Sequence, residues 1–424
     1  MEQEYLKIAQ YSAQNEAVQG VMHLVNEKSL ILQHKKQLVN KATGIDRVTK
    51  EEYGKNLDEN LKNLVSRMET FSYKPLPVRR VYIPKVGSDK LRPLGIPAYE
   101  DRLVQGAMAE ILNAVYECKF LDHSYGFRPN RSQHMALNAL NKTIMGDKIN
   151  YIVDVDIKGF FDNVNHDWLI KFLEHDIKDR WFIRYIKRFL IGGIMDKDEF
   201  IESDKGTPQG GLISPILANV YLHYVLDLWF EQSIKPSMKG VATMIRFADD
   251  FVVCFQHEQE ARAFYEQLKE RLEKFGLEIS PEKSKVIRFG RFAIQNGVDE
   301  QFDFLGFTHI NSTTKDGRYK LQYKTSKKKL KSKHQAAKKW LKENMHTDKR
   351  ELVKRLNVKL NGHYRYYGVT NNFKSIVNFY HYIKDRLRYF FGRRSQRGRM
   401  SWARYTKFLE HNPLAPPRLY VKLG

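Results

Sequence analysis

Cysteine is nearly absent from the sequence: Cys118 and Cys254 are the only two in a chain of 424 residues. Two cysteines are too few for a disulfide framework or a Cys-rich zinc site, and both stand in apolar surroundings. We therefore expect buried thiols in a reducing compartment. No apolar run reaches the roughly eighteen residues of a membrane helix, and no signal-peptide pattern opens the chain. These absences predict a soluble cytosolic protein with no membrane partner.

Acidic residues are scarce at one end of the chain only. Residues 321–424 contain 27 Lys and Arg against 5 Asp and Glu, a net charge of +22. Residues 1–320 contain the remaining 45 basic and 44 acidic residues, a net charge of +1. A basic region interleaved with aromatic residues is typical of proteins that bind DNA, RNA or anionic membranes. The alternative is a solvated surface that serves only solubility.

Four aspartates stand in apolar, strand-like stretches. "YIVDVDIKGFFD" places Asp154 and Asp156 on one face of a predicted strand. "IRFADDFVVCF" places Asp249 and Asp250 at the predicted tip of a hairpin. Carboxylates without nearby His or Cys are hard oxygen ligands that suit Mg²⁺, and two such ions assist phosphoryl chemistry. Either motif alone is equally consistent with a metal site and with ordinary aspartates of a turn. The two motifs together favour a metal site.

Two other segments carry residues able to contact a substrate. The predicted hairpin "YIPKVGSDKLRPLG" holds Lys85 and Arg92 on opposite arms, where they can clamp a triphosphate. The loop "GTPQGG" holds Gln209 beside Gly210, and glycine permits close approach of backbone to a ligand. Taken alone, the first segment is better interpreted as an edge hairpin with surface charges, and the second as an ordinary loop before a helix. The loop also differs from a GxxxxGK[ST] phosphate loop, which argues against an ATPase.

Helices alternate with a few short strands, which predicts an α+β fold with a small antiparallel sheet followed by helical domains. We expect a hairpin over 75–97, strand–turn–strand over 242–255 and helical structure from 321 onward, including a basic amphipathic helix over 324–339. Further helices are predicted over 1–40, 51–71, 98–120, 166–195 and 257–275.

Several blocks, in order, resemble those of reverse transcriptases encoded by bacterial group II introns. The blocks are "RRVYIPKVGSDKLRPLGIP", "HSYGFRPNRS", "YIVDVDIKGFFDNVNH", "GTPQGGLISPILANVYLH", "RFADDFVV", "GLEISPEKSKV" and "FDFLGF". The resemblance continues more weakly into "LNVKLNGHYRYYGV" (356–369), which is similar to the maturase or thumb region of that family.

This resemblance implies a right-hand polymerase. Its segments would be an N-terminal extension and fingers over 1–150, a palm over 151–312, a helical, basic thumb or maturase domain over 313–400 and a short basic tail over 401–424. No Cys/His-paired nuclease module follows Met400 in the sequence, so we do not expect intrinsic cleavage of DNA strands.

The resemblance also assigns a metal-binding catalytic set. Asp156, Asp249 and Asp250 would bind Mg²⁺, or Mn²⁺ in its place, with the backbone carbonyl of Ile157 completing a site. The family usually has tyrosine where this chain has Phe247. Because the ring remains, we expect polymerase activity to survive.

Substrate contacts follow from the same resemblance. Lys85 and Arg92 would hold the triphosphate of the incoming dNTP, Gln209 and Gly210 would lie beside the nascent base pair, and Phe161 would exclude a 2′-hydroxyl.

One further role, proton donation to pyrophosphate, would fall to Lys283 or Lys285, and the sequence does not decide between them.

The basic end of the chain supplies the candidate nucleic-acid contacts. They are Lys324, Lys328, Lys331, Arg365, Arg386, Arg393 and Arg394. We expect most of the aromatic residues in 363–391 to form a helical core, which leaves the cations to contact phosphates. The expected partners are structured RNA, which the resemblance implies is group II intron RNA, and an RNA template with a DNA primer. Composition does not separate RNA from DNA, and monomer and homodimer both stay open.

The predicted function is an RNA-directed DNA polymerase that also acts as a maturase in splicing and retrohoming. The alternative is a free-standing relative recruited to phage defence, CRISPR spacer acquisition or DNA repair. A third hypothesis, a non-catalytic RNA-binding splicing factor, is disfavoured because Asp156, Asp249 and Asp250 are all present.

Overall fold

A computed structural model describes residues 2–14, 17–84, 91–197, 199–202, 204–207, 210–394 and 400–423. Among these residues, no helix combines the length and apolar character needed to cross a membrane.

The N-terminal third is mostly helical, with one hairpin. Its elements are α1 (Glu2–Ala13), α2 (Glu27–Lys36), α3 (Lys50–Gly54), α4 (Leu57–Glu69), β1 (Val78–Pro84), β2 (Leu91–Ile96), α5 (Tyr99–Tyr116) and α6 (Gln133–Gly146). The predicted hairpin is confirmed, since β1 and β2 pair antiparallel from Arg79 opposite Ile96 to Pro84 opposite Leu91. The single helix predicted over 51–71 is two helices, because Asn56 begins a new one.

The middle third carries the central sheet. Its elements are β3 (Tyr151–Asp156), α7 (Phe160–Asn163), α8 (His166–Asp176), α9 (Arg180–Ile191), β4 (Ile194–Asp196), β5 (Glu199–Ile201), α10 (Ser214–Leu222), β6 (Ala242–Phe247), β7 (Asp250–Phe255), α11 (Glu258–Lys274), β8 (Lys285–Arg288) and α12 (Arg291–Gln295). Helix α10 continues through two π-helical segments, His223–Asp227 and Phe230–Ile234. The central sheet has the order β6-β7-β3-β8, and every neighbouring pair is antiparallel.

The C-terminal third begins with strands and ends in helices. Its elements are β9 (Gln301–Phe304), β10 (Phe307–Thr313), β11 (Tyr319–Thr325), α13 (Lys327–Glu343), α14 (Lys349–Tyr367), α15 (Phe373–Gly392) and α16 (Trp402–His411). The expectation of helix from 321 onward is wrong for 321–325. Leu321, Tyr323 and Thr325 are buried in alternation, which is the period of a strand, and Ser326 caps the helix that follows.

Two hydrophobic cores lie on opposite faces of the central sheet. The first core packs Val153, Val155 and Val253 against α1, α4, α5, α8, α9 and α11. The second core packs Ile152 and Val252 against α6, the β9–β11 sheet and the helices α13–α16. The period of two along a strand produces this division. Cys254 belongs to the second core as expected, whereas Cys118 is exposed just after α5, so that expectation is wrong.

Candidate active site

The strand register brings the predicted catalytic aspartates to one edge of the central sheet. Asp156 ends β3 directly opposite Asp250, which begins β7. Phe247 pairs with Asp250 across the β6–β7 hairpin, so Ala248 and Asp249 form its two-residue turn. Ala248 has φ +59, in the left-handed region that such tight hairpin turns use. We call residues 247–250 the aspartate turn.

Asp154 joins this group from the strand interior. It pairs with Val252, two positions from Asp156, and therefore shares a sheet face with Asp156 and Asp250. Burial, with Asp303 and Asp156 nearby, raises the pKa of Asp154 to about 7 against the opposing effect of Lys285. The face that holds these carboxylates is the one directed toward the second core.

Asp250 is exposed to solvent, yet many protein atoms surround its carboxyl. Burial and the neighbouring Asp154, Asp249 and Asp156 raise the pKa of Asp250 to about 7. Burial also raises the pKa of Asp249, and Asp156 acts in the same direction while Arg92 opposes it. Carboxyls that raise one another's pKa are the arrangement that a divalent cation relieves.

Backbone contacts fix the end of β3. Ser280 N–H donates to the Asp156 carbonyl at 2.8 Å, and Lys158 N–H donates to the Glu278 carbonyl at 2.8 Å. Neither of these bonds uses the carbonyl of Ile157, the residue between them, which is buried. The predicted backbone ligand is therefore held in place by its neighbours.

The donors present fit a hard cation. They are carboxylate oxygens and a backbone carbonyl, and Mg²⁺ completes such sets with water and substrate phosphates. Within the described ranges, no three His, Cys, Asp or Glu side chains are already gathered as a metal cage.

The two candidate proton donors differ in position. The Lys283 ammonium donates to the carboxylate of Asp156. Lys285 pairs with Asp154 across β3 and β8, and its ammonium lies 3.4 Å from the Gln301 carbonyl. Of the two, Lys283 is the one in contact with a predicted catalytic carboxylate.

The β1–β2 hairpin lies near the aspartate turn. Arg92 lies on β2 opposite Ile83 and is close enough to influence the pKa of Asp249. Gly210 has φ +118, and a Cβ there would lie 2.2 Å from the Gly95 carbonyl oxygen of β2, so only glycine permits this approach. Lys85 and Gln209 lie outside the described residues.

Phe161 lines a cavity of about 590 Å³ between the hairpin, β4–β5 and the loop at 204–207. Its carbonyl accepts a bond of 2.7 Å from Thr207 N–H, and its ring packs edge-on against Phe160. The half-buried ring forms part of the cavity wall, alongside Pro93 and Gly95 of β2.

The helices of the second core also reach the aspartate turn. Lys329 of α13 is half-buried, and its charge interacts with both Asp250 and Arg92. Tyr366 of α14 donates its hydroxyl to the Leu305 carbonyl at 3.0 Å, and burial raises the pKa of this tyrosine, with Asp250 acting in the same direction. Lys329 and Tyr366 were not predicted from the sequence, because both stand within ordinary helical spacing.

A buried network of side chains supports the aspartate turn from the protein interior. It was not predicted from the sequence. Arg246, two residues before Ala248, is completely buried and forms an ion pair with Asp227. It also donates to the Asn219 side chain and to the Ala248 carbonyl, both at 3.0 Å. A charged residue in the middle of the apolar run "MIRFADD" is the signal that could have revealed it.

The candidate nucleic-acid residues divide into two groups. The exposed ones are Lys324, Lys328, Lys331, Arg365 and Arg393. Arg386 and Arg394 are half-buried, and their guanidinium groups lie over aromatic rings of α15, at 5.4 Å from the Tyr382 ring centre and 4.8 Å from that of Phe391. The first group is better placed to reach phosphates.

Comparison with known proteins identifies the family. Residues 83–309, just over half of the chain, match the family described as "Reverse transcriptase (RNA-dependent DNA polymerase)". The chain is 35% identical over 246 residues to the group II intron-encoded protein LtrA of Lactococcus lactis, which covers 56% of this chain and 41% of LtrA. It is 32% identical over 308 residues to protein YkfC of Escherichia coli, covering 66% of this chain and 78% of YkfC.

A weaker match involves a maturase. Nuclear intron maturase 2 of Arabidopsis thaliana is 24% identical over 177 residues, covering 32% of this chain and 24% of that protein. These matches agree with the block order in the sequence and with the small antiparallel sheets of an α+β fold. The chain belongs to the group II intron reverse transcriptase/maturase family.

Proposed function

We propose that the protein is an RNA-directed DNA polymerase that extends a DNA primer on an RNA template. The observation that carries this proposal is the convergence of Asp156, Asp249 and Asp250 at one edge of the central sheet, where β3 ends and β7 begins. Arg92 of the β1–β2 hairpin interacts with Asp249, and Lys329 of α13 interacts with Asp250, so two cations near that edge are available to substrate phosphates.

Reverse transcriptases generally use divalent metal ions. In this chain Asp156, Asp249, Asp250 and the Ile157 carbonyl would hold Mg²⁺, because oxygen donors of this kind match that ion. When bound, paired Mg²⁺ ions supply activation of the primer 3′-hydroxyl and stabilisation of the departing pyrophosphate. The protein's own residues orient the reactants: Arg92, with Lys85, would bind the triphosphate, and Gln209 and Gly210 would lie beside the new base pair.

Selection of dNTP over NTP would come from Phe161. Its ring forms part of the cavity wall beside the β2 backbone, and an aromatic ring against the sugar rejects an added 2′-hydroxyl by sterics. The backbone bond from Thr207 N–H to the Phe161 carbonyl joins the 204–207 loop to the Phe161 backbone, and the ring itself packs edge-on against Phe160.

Structured RNA would bind the exposed cations of the basic C-terminal region. Residues 321–424 carry a net charge of +22, and few of their cations have acidic partners among the described residues of this region. Intron RNA is the expected RNA because of the family, and a maturase role in splicing would follow from that binding.

The proposal is tested by primer extension on an RNA template with the Asp249→Ala variant. We expect the variant to lose at least about 10³-fold in the rate of dNTP addition, because it removes a carboxylate that would hold the catalytic metal ions, while RNA affinity stays within twofold. Asp316→Ala, at an exposed carboxylate in the β10–β11 turn, is the matched control and should extend normally. Polymerisation that persists in Asp249→Ala overturns the assignment.

The gate is tested with Phe161→Val and separate dNTP and rNTP pools. Removing the ring should raise the relative use of rNTP by about 10- to 100-fold, the range that a steric pocket contact supplies. Phe200→Val, at an exposed ring on β5, serves as the control. Unchanged discrimination in Phe161→Val would remove the gate role while leaving the polymerase assignment intact.

A further inference from the structure

Arg246 and Asp227 form an ion pair from which water is completely excluded. Both side chains have zero exposure, and the guanidinium meets the carboxylate through two hydrogen bonds, one of them 2.8 Å between Nε and Oδ1. Desolvating two charges is so costly that well-packed apolar residues often replace such pairs with no loss of stability. Folding alone therefore does not explain this pair.

The position of Asp227 is unusual as well. It ends the π-helical segment His223–Asp227, and π turns within α-helices are frequent at functional sites. His123 lies 3.3 Å from the Asp227 carboxylate and 3.5 Å from Glu231. Although burial opposes ionisation, Arg246 and His123 hold the pKa of Asp227 well below its usual range, so the carboxylate stays charged.

The remaining donors of Arg246 are directed at the aspartate turn. One Nη donates to the Ala248 carbonyl at 3.0 Å and to the Asn219 Oδ1 at 3.0 Å. Asn219 in turn donates to the Gly126 carbonyl at 2.7 Å. A Cβ on Gly126 would lie 2.2 Å from the Ala248 nitrogen, so the Gly126 backbone presses directly on the turn.

Backbone bonds complete the enclosure. Arg246 N–H donates to the His123 carbonyl at 2.8 Å, and Tyr125 N–H donates to the Arg246 carbonyl at 2.9 Å. The segment 123–126 therefore lies along β6, while the guanidinium of Arg246 holds the turn from inside the protein. The conformation of Ala248, with φ +59, is one that a residue with a side chain keeps only where its surroundings fix it.

We propose that Arg246, oriented by Asp227 and Asn219, is a positioning residue that fixes the Ala248 carbonyl and thereby aims the Asp249 and Asp250 carboxylates. This inference rests on the proposed function, because its purpose is to preorganise the carboxylates for the reaction. Arginine suits the role because its planar fork binds Asp227 with two nitrogens while a third donor remains for the turn. Lysine provides the charge without that geometry.

The test uses the full chain and compares Arg246→Lys with Arg188→Lys. Arg188 of α9 is a matched control, since it also donates to backbone carbonyls, those of Phe71 and Tyr73, but in the N-terminal region. Three quantities are measured: thermal unfolding, binding of Mn²⁺ followed by electron paramagnetic resonance, and the single-turnover rate of dNTP addition.

Arg246→Lys should stay folded because Asp227 keeps a cationic partner. We expect its single-turnover rate and its Mn²⁺ affinity to fall by about 10- to 100-fold, the range found when groups that orient metal ligands are removed, with little change in the KM for dNTP. Arg188→Lys should keep both values within twofold. Wild-type Mn²⁺ affinity and rate in folded Arg246→Lys would overturn the proposal.

A second variant covers the case in which Arg246→Lys fails to fold. The double substitution Arg246→Met with Asp227→Leu removes both buried charges together, which commonly preserves stability. A positioning role predicts a folded double variant with weak Mn²⁺ binding, whereas a purely structural role predicts wild-type binding. If wild-type protein itself fails to extend a primer, the proposed function fails, and the Mn²⁺ measurement still decides whether Arg246 aims the carboxylates.

Discussion

The charged groups that support the aspartate turn and the histidines of the second core are buried in different ways. Beside the first core, charged groups are enclosed in pairs: Arg246 with Asp227, Lys119 with Asp176 at 3.2 Å, and His123 between two carboxylates. The second core encloses neutral histidines against aromatic rings, with His309 stacked on Phe302 at 4.6 Å. The buried ion pairs fix the orientation of the groups they join, whereas the stacked histidines only fill space in the core.

The surface of the C-terminal region differs from the buried ion pairs, because few of its described cations have acidic partners from the same region. In the part of the C-terminal region that the structure describes, the ion pairs are Lys339–Glu343 and Arg355–Glu351, both within single helices. Most cations there face solvent without an acidic partner from the same region. The comparison assigns support of the aspartate turn to the charged groups beside the first core, and attraction of polyanions to the basic helices of the second core. The predictions below test that division, beginning with the largest expected effect.

Substitution of Lys283 and Lys285 tests which lysine takes part in the chemistry. Lys283→Met should reduce the rate of dNTP addition by about 10²-fold or more, because general acid catalysis contributes in that range and Lys283 contacts Asp156. Lys285→Met, two residues further along the chain at the start of β8, should extend almost normally. The measurement is single-turnover extension across a range of pH, and a larger loss in Lys285→Met would reverse the assignment.

The binding side is tested by removing three exposed lysines together, Lys324, Lys328 and Lys331, each replaced by alanine. Each lost phosphate contact should reduce the steepness of the logarithm of RNA affinity against the logarithm of salt concentration by about 0.7 to 0.9. A control with the same change in charge replaces Lys239, Lys269 and Lys274 near α11. Equal slopes in the two triple variants would contradict a localised RNA surface.

The buried histidines predict that acid weakens the second core. Burial, with Lys333 and His334 nearby, lowers the pKa of His363 to about 3, and the ring stacks on Phe379 at 4.0 Å. Between pH 3 and about 6.5 the unfolded chain binds a proton at this residue that the folded chain does not, so stability falls as the pH falls through that window.

His363→Phe should reduce but not abolish this sensitivity, since the buried His309 remains. The loss of unfolding free energy between pH 6.5 and 5 should be smaller by up to about 2 kcal/mol, measured by urea unfolding at both values. His411→Phe, at an exposed histidine that ends α16, should change nothing. An unaltered acid response in His363→Phe would show that the stacked ring is not the sensitive group.

The sequence predicted where the carboxylates lie in the strands and the hairpin, because local rules sufficed. Alternating apolar residues placed β3, β6 and β7, and the tight spacing of "FADD" predicted the hairpin that puts Asp249 in its turn. Strands β4 and β5 were missed because three residues carry too little periodicity. The division into domains and the roles of the individual site residues stay predictions.

Contacts between distant elements were beyond those rules. Asp227 faces Arg246 because a π-helical segment shifts the helical phase, and no 3.6-residue pattern anticipates that shift. Lys329 meets the aspartate turn only through the packing of α13. For the same reason the sequence could not choose between Lys283 and Lys285, which depends on how the 280–284 turn lies against Asp156.

The most direct test of this division is single-turnover primer extension on RNA at protein concentrations that saturate the primer–template. The account predicts that Asp249→Ala binds but does not extend. It predicts that the Lys324, Lys328 and Lys331 triple variant extends at the wild-type rate once binding is saturated. Extension by Asp249→Ala, or a saturated rate that collapses in the triple variant, would contradict the separation of chemistry from RNA binding.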